Sequence, residues 1–188
     1  QDSTFRYFTG INDPDILLVM DKSKEYLIVP ERETHRAVFD GALDHGNLTL
    51  QSGIETVYDD KEGWKQLGAR IKKVKHLATI APPPSYVSYH GIYTNPSRAR
   101  LIRRIKQHNS EIELLDLKPH VVHMRSRKQP QELAAIQTAI DVTANTLKKL
   151  KRKGLANFAR ENELEAAITA EFGKAGYKHA YQPIVAAA

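Results

Sequence analysis

The chain of 188 residues (21.2 kDa) is 41% hydrophobic and 27% charged, with a mean hydropathy of −0.49, which excludes a disordered or collagen-like protein. It contains no cysteine, which excludes disulfides, thiol nucleophiles and thiolate metal sites, and no apolar run approaches the ~18 residues that span a bilayer. The net charge of +6 is unevenly spread: residues 1–60 carry −7, residues 61–128 carry +11 and residues 129–188 carry +2.

Ile16 to Met20 and Glu25 to Val29 are short apolar runs around Asp21-Lys22-Ser23-Lys24. They predict a hairpin whose first strand is buried on both faces, with Pro30 ending the second because it cannot donate to a ladder. Trp64, Leu67, Ile71 and Val74 form one helical stripe over residues 60–74. His76 to Ala81 then predicts a strand stopped by Pro82-Pro83-Pro84. A basic helix runs from Pro96 to Gln107, with Pro96 suited to a first turn. Glu111 to Leu115 is a further strand. Alternating strands and helices define an α/β layer structure.

Beyond Lys118-Pro119 the texture changes. Leu133, Ile136, Ile140, Leu147 and Leu150 make a long amphipathic stripe over residues 130–150. Lys148 to Lys153 and Gly154 supply the cations and the conformational freedom expected at a helix C-terminus. Leu164, Ala167, Ile168 and Phe172 mark a second helix ending near Gly173 to Gly176. Gln182 to Ala186 reads as a strand. Two helices and one strand do not close two layers, so this third reads as the opening of a larger domain.

The basic middle third raises nucleic acid as a partner. Its charges, Lys65, Arg70, Lys72, Lys73, Arg98, Arg100, Arg103 and Arg104, are interleaved with Leu67, Ile71, Leu101 and Ile105 at helical spacing, and base-stacking aromatics are not. The favoured reading is a solvated helix face or an intersubunit surface.

Searches for catalytic motifs return nothing: there is no phosphate-cradling glycine loop, no H-E-x-x-H and no nucleophile elbow. His120 and His123 are three apart, but Leu117 to Met124 shows no helical pattern and no third ligand lies near, so a structural role is favoured. His35, His45, His76, His90, His108 and His179 carry no site signal.

Three ordered segments carry a family resemblance. Gln1-Asp2-Ser3-Thr4-Phe5-Arg6-Tyr7-Phe8-Thr9-Gly10 with Pro14 resembles the Q-[DN]-S-x-F-x-Y-F-T-G-x-x-x-P segment of aminopeptidase P, the Xaa-Pro aminopeptidases of the pita-bread metallopeptidase superfamily. Met124-Arg125 with Lys128, Pro130, Glu132 and Leu133 is similar to that family's M-R-x-x-K-x-P-x-E-[IL] junction. Glu161-x-x-Leu164, Gly176 and Tyr181 to Ala186 resemble its E-x-x-L, G and Y-x-x-I-V-[AG] run. Proline dipeptidase and creatinase share the architecture.

The resemblance implies a mixed-sheet α/β N-terminal domain of creatinase/aminopeptidase P type over residues 1–120, its start missing. The first helices and strand of a truncated pita-bread catalytic domain would follow over 121–188. It implies metal-assisted hydrolysis that releases the N-terminal residue from peptides with proline second, with two Mn²⁺ in the complete enzyme and a homodimer or homotetramer. The five expected ligands, two Asp, one His and two Glu, lie beyond the Y-x-x-I-V segment, so no catalytic or metal-binding residue is expected here and the chain alone is expected to be inactive. Tyr181 matches a tyrosine near the metal centre whose hydroxyl can bond a ligand carboxylate; the alternative is a strand-edge core tyrosine. Phe39, in Val38-Phe39-Asp40-Gly41, stands where the family often has W-x-G and an aromatic that reaches a neighbouring subunit's pocket; a packing role is favoured, since Phe lacks the indole N–H. The chain begins with Gln1, with no leader following, and a cytoplasmic protein without membrane partners is expected. The other readings are a stand-alone binding module, a non-catalytic paralogue, a proline dipeptidase and, least favoured, a basic nucleic-acid binder.

Overall fold

The structure, a computed structural model, describes residues 3–31, 41, 43–82, 84–91 and 96–186. The chain divides into two compact units, residues 1–124 and 125–188.

The first unit is built on β1 (Leu17–Met20), β2 (Glu25–Val29) and β3 (Val57–Asp59) in the order β1-β2-β3. β1 and β2 are antiparallel, with Leu17 opposite Ile28 and Met20 opposite Glu25, whereas β2 and β3 are parallel, with Leu27 opposite Val57. The sheet is therefore mixed. A second, parallel pair joins β4 (His76–Thr79) and β5 (Glu113–Asp116), with His76 opposite Glu113. The β1–β2 turn is closed by Asp21, whose Oδ1 accepts from Ser23 N (2.8 Å) and Lys24 N (3.0 Å).

Both faces of β2 are covered, because alternate side chains feed two cores. Tyr26 and Ile28 join Trp64, Leu67 and Ile71 of α3 (Asp60–Ile71), Ile105 of α5 (Pro96–His108) and Ile112. Leu27 and Val29 join Ile11, Ile16, Ile54 and Leu48 of α2 (His45–Ser52), with Phe5 of α1 (Ser3–Thr9) packed against them. Asp59 caps α3 by accepting from Glu62 N at 2.8 Å. Gly63 lets α3 lie directly on the sheet: a Cβ there would stand 2.6 Å from Ile28 Cγ2.

Several expectations are met and others corrected. The hairpin, the helices over 60–71 and 96–108 and the strand after His76 form as predicted, whereas Val74 lies beyond the end of α3 and is exposed. The burial of the hairpin is reversed: β1 is only half-buried, because it is an edge strand, and the central β2 is buried from Tyr26 to Val29. Residues 118–126 form a helix, α6 (Lys118–Ser126), where no helical pattern is legible. Asp116 Oδ1 accepts from Lys118 N at 3.0 Å and starts the helix, Pro119 occupies a tolerated first-turn position, and Val121 is its one buried anchor. The sequence shows no pattern for the short α1, α2, β3 or α4 (Ser85–Tyr89).

The second unit holds α7 (Pro130–Lys153), a 3₁₀ turn at Leu155–Asn157, and α8 (Glu161–Lys174). Glu132 Oε2 accepts from Gln129 N at 2.9 Å at the start of α7, and Gly154 takes φ 92° at its end. Lys149 of α7 reaches Glu171 of α8 at 2.5 Å. Thr146 and Leu150 are buried, but Leu133, Ile136, Ile140 and Leu147 remain 44–55% exposed. The strand expected at Gln182 to Ala186 is not formed: the segment has no regular structure and, among the described residues, no strand beside it to pair with. Among its described residues the second unit is thus helical only.

Candidate functional site

Tyr181 follows α8 in an irregular segment and is 81% exposed. That segment folds back on α8: Tyr177 N donates to Phe172 O (2.9 Å), the His179 ring lies 4.9 Å from that of Phe172, and Gln182 Nε2 donates to Glu165 Oε1 (3.3 Å). Phe39 lies outside the described residues. His120 and His123 both stand exposed on α6, three residues apart, which puts them near one another on the helix surface. No group of three His, Asp or Glu side chains among the described residues is placed to hold a metal ion. These residues do not fit a metal centre by themselves.

The electrostatics of the first unit absorb part of its uneven charge. Arg70 pairs with Asp21, and Arg104 grips both carboxylate oxygens of Asp60 at 2.9 and 2.8 Å. In both pairs a cation of the basic middle third meets a carboxylate of the acidic first third. Asp116 accepts from Ala81 N and Lys118 N, and these hydrogen bonds hold its carboxyl below the usual carboxylate range. Glu62 is lowered likewise by hydrogen bonds from Gln66 and Lys65. In the second unit, hydrogen bonds from Lys149 and Lys174 bring Glu171 down to about 2.

A cleft beside β2 and β3 is lined by Lys24, Tyr26, Glu55, Tyr58, Gln66 and Arg70 among others. The Tyr26 hydroxyl there is buried without a hydrogen-bond partner, and burial followed by the neighbouring Tyr58 pushes its pKa up. Its oxygen is sealed from solvent. Among the described residues no helix is long and apolar enough to cross a membrane.

Helices on both faces of a mixed sheet, followed in the chain by a two-helix unit, define a two-part α/β protein. The aminopeptidase P N-terminal domain family matches residues 1–79. The Xaa-Pro aminopeptidase of Escherichia coli (strain K12) is 25% identical over 98% of the chain. A Bacillus anthracis structure assigned as an aminopeptidase P superposes with a TM-score of 0.75 at 20% identity, covering 95% of this chain and 43% of its own. A Zn-substituted E. coli aminopeptidase P in complex with product gives 0.67 at 23% identity, covering 93% and 40%. The chain spans about two fifths of the length of these relatives, 43% of the E. coli protein.

Sequence reasoning singled out Tyr181 but missed what holds it. Glu165, Thr169 and Phe172 are spaced by four and three residues, a stripe on α8 that faces the following segment. That spacing was the available signal, masked because two of the three residues are polar.

Proposed function

We propose that the protein carrying these residues is a metal-dependent Xaa-Pro aminopeptidase that releases the N-terminal residue from peptides with proline second. In this reading residues 1–120 are its non-catalytic N-terminal domain and residues 121–188 open the catalytic domain. The observation that carries the reading is the match of 98% of the chain to a Xaa-Pro aminopeptidase, together with the family domain over residues 1–79. The first unit shapes the cleft and assembles a homodimer or homotetramer. Proline at the second position removes an amide N–H, so such a substrate is selected by shape. Tyr181, exposed beyond α8, faces the substrate pocket or offers its hydroxyl to a carboxylate that ligates the metal, and Phe39 contributes packing within the first unit or reaches a neighbouring subunit's pocket.

The metal, two Mn²⁺ by resemblance, is assigned to residues outside this chain. The described residues supply no group of three candidate ligands. The test is direct. The 188-residue chain gives no hydrolysis of a proline-second peptide above blank, with or without Mn²⁺. The complete protein hydrolyses it and loses activity to a chelator. Hydrolysis by the 188 residues alone refutes the assignment of roles. The pairing of basic side chains with Asp21 and Asp60 speaks against the nucleic-acid reading, and a cytoplasmic location belongs to the same proposal.

A further inference from the structure

The stretch after α8 is strapped to one face of that helix. Gly176 turns the chain at φ 78°, in the left-handed region open to glycine. Tyr177 N donates to Phe172 O at 2.9 Å. His179 sets its ring 4.9 Å from that of Phe172, tilted by 58°, and brings Nε2 within 2.9 Å of Thr169 Oγ1. Gln182 Nε2 donates to Glu165 Oε1 at 3.3 Å.

The anchor has a definite polarity. Thr169 Oγ1 donates its single proton to Glu165 O at 2.9 Å, so toward His179 it accepts, and Nε2 carries the ring proton. His179 is therefore engaged as a donor on one side and as an apolar face against Phe172. Tyr181 lies between His179 and Gln182 and is itself exposed. An exposed tyrosine on an untethered segment would have to be ordered each time it met a ligand; the strap removes that cost in advance.

We infer that His179 is a positioning residue: through Thr169 and Phe172 it fixes the segment that carries Tyr181, and so the place at which the phenol meets a peptide substrate. This rests on the reading of Tyr181 as substrate-facing. The test has two arms. In the ¹⁵N-labelled 188-residue chain, His179→Ala lowers the heteronuclear NOE of residues 178–184 and leaves residues 161–172 of α8 unchanged. His179→Gln, which keeps an N–H donor, restores part of the order. Unchanged NOEs at 178–184 overturn the proposal. In the complete protein, His179→Ala raises KM for a proline-second peptide by about two- to tenfold, the size of one hydrogen bond, and has no further effect in a Tyr181→Phe background. Additive losses overturn it. If Tyr181→Phe alone leaves the kinetics unchanged, the role in catalysis falls together with the reading of Tyr181, and the NOE arm shows whether the strap itself stands.

Discussion

Arg104 and Asp60 are joined by two parallel hydrogen bonds of 2.9 and 2.8 Å, and the same guanidinium lies 4.0 Å from the centroid of the Trp64 ring. One side chain of α5 thus clamps the first turn of α3 and covers its main aromatic. Arg104→Lys keeps the charge but loses the fork and most of the stacking, and is expected to destabilise the first unit by about 1 kcal/mol. Arg104→Ala adds lost packing and reaches about 2 kcal/mol. Urea denaturation followed by Trp64 fluorescence measures both. Equal stability of wild type and Arg104→Ala would show that the clamp contributes nothing.

Two glycines give opposite expectations. Gly63→Ala forces a methyl to within 2.6 Å of Ile28 Cγ2 and must lift α3 from the sheet, at a cost of about 1–3 kcal/mol. Gly173, in the last turn of α8, has nothing within 4 Å of an added Cβ. Gly173→Ala gains about 0.5–1 kcal/mol from helix propensity alone. Thermal melts of the two variants should move in opposite directions.

Acid acts on the second unit through Glu171. Its pKa falls from 4.5 to about 2 because Lys149 and Lys174 bond its ionised form. A depressed carboxyl stabilises the fold above its unfolded pKa, and that contribution is lost as pH falls from about 4.5 through about 2. The stability gap between wild type and Glu171→Gln, followed by circular dichroism, therefore closes across this window and narrows in high salt, since the group is solvent-screened. A gap constant from pH 6 to pH 2 would contradict the clamp.

The uncovered stripe on α7 predicts uneven protection. Leu133, Ile136, Ile140 and Leu147 are each about half exposed, so each forgoes roughly 1 kcal/mol of burial. In the 188-residue chain, amides of residues 130–150 and 162–175 should exchange at least about tenfold faster than those of β1 and β2. Equal protection would mean that the second unit closes its own core.

The fold was legible where periodicity was long or strands were short and purely apolar. Trp64, Leu67 and Ile71 announced α3, and the two runs around Asp21 to Lys24 announced the hairpin. Which strand is central was not legible, because burial is set by β3 and the helices, which are distant in sequence. α6 escaped notice because a single buried residue, Val121, leaves no period to read. The strand expected at Gln182 to Ala186 illustrates the converse: strand propensity without a neighbour yields no ladder. Of the candidate site, Tyr181 came from resemblance, whereas His179 showed no signal of its own and gains one only from Thr169 and Phe172.

The measurement that bears most directly on the central claim is the specificity of the complete protein with Mn²⁺ on three peptides: Gly-Pro-Ala, Gly-Ala-Ala and the dipeptide Gly-Pro. The proposed function requires release of glycine from Gly-Pro-Ala at least about a hundredfold faster than from Gly-Ala-Ala, a discrimination set by the shape of the second residue. Equal rates on the two tripeptides, or cleavage confined to Gly-Pro as a proline dipeptidase would show, contradicts it.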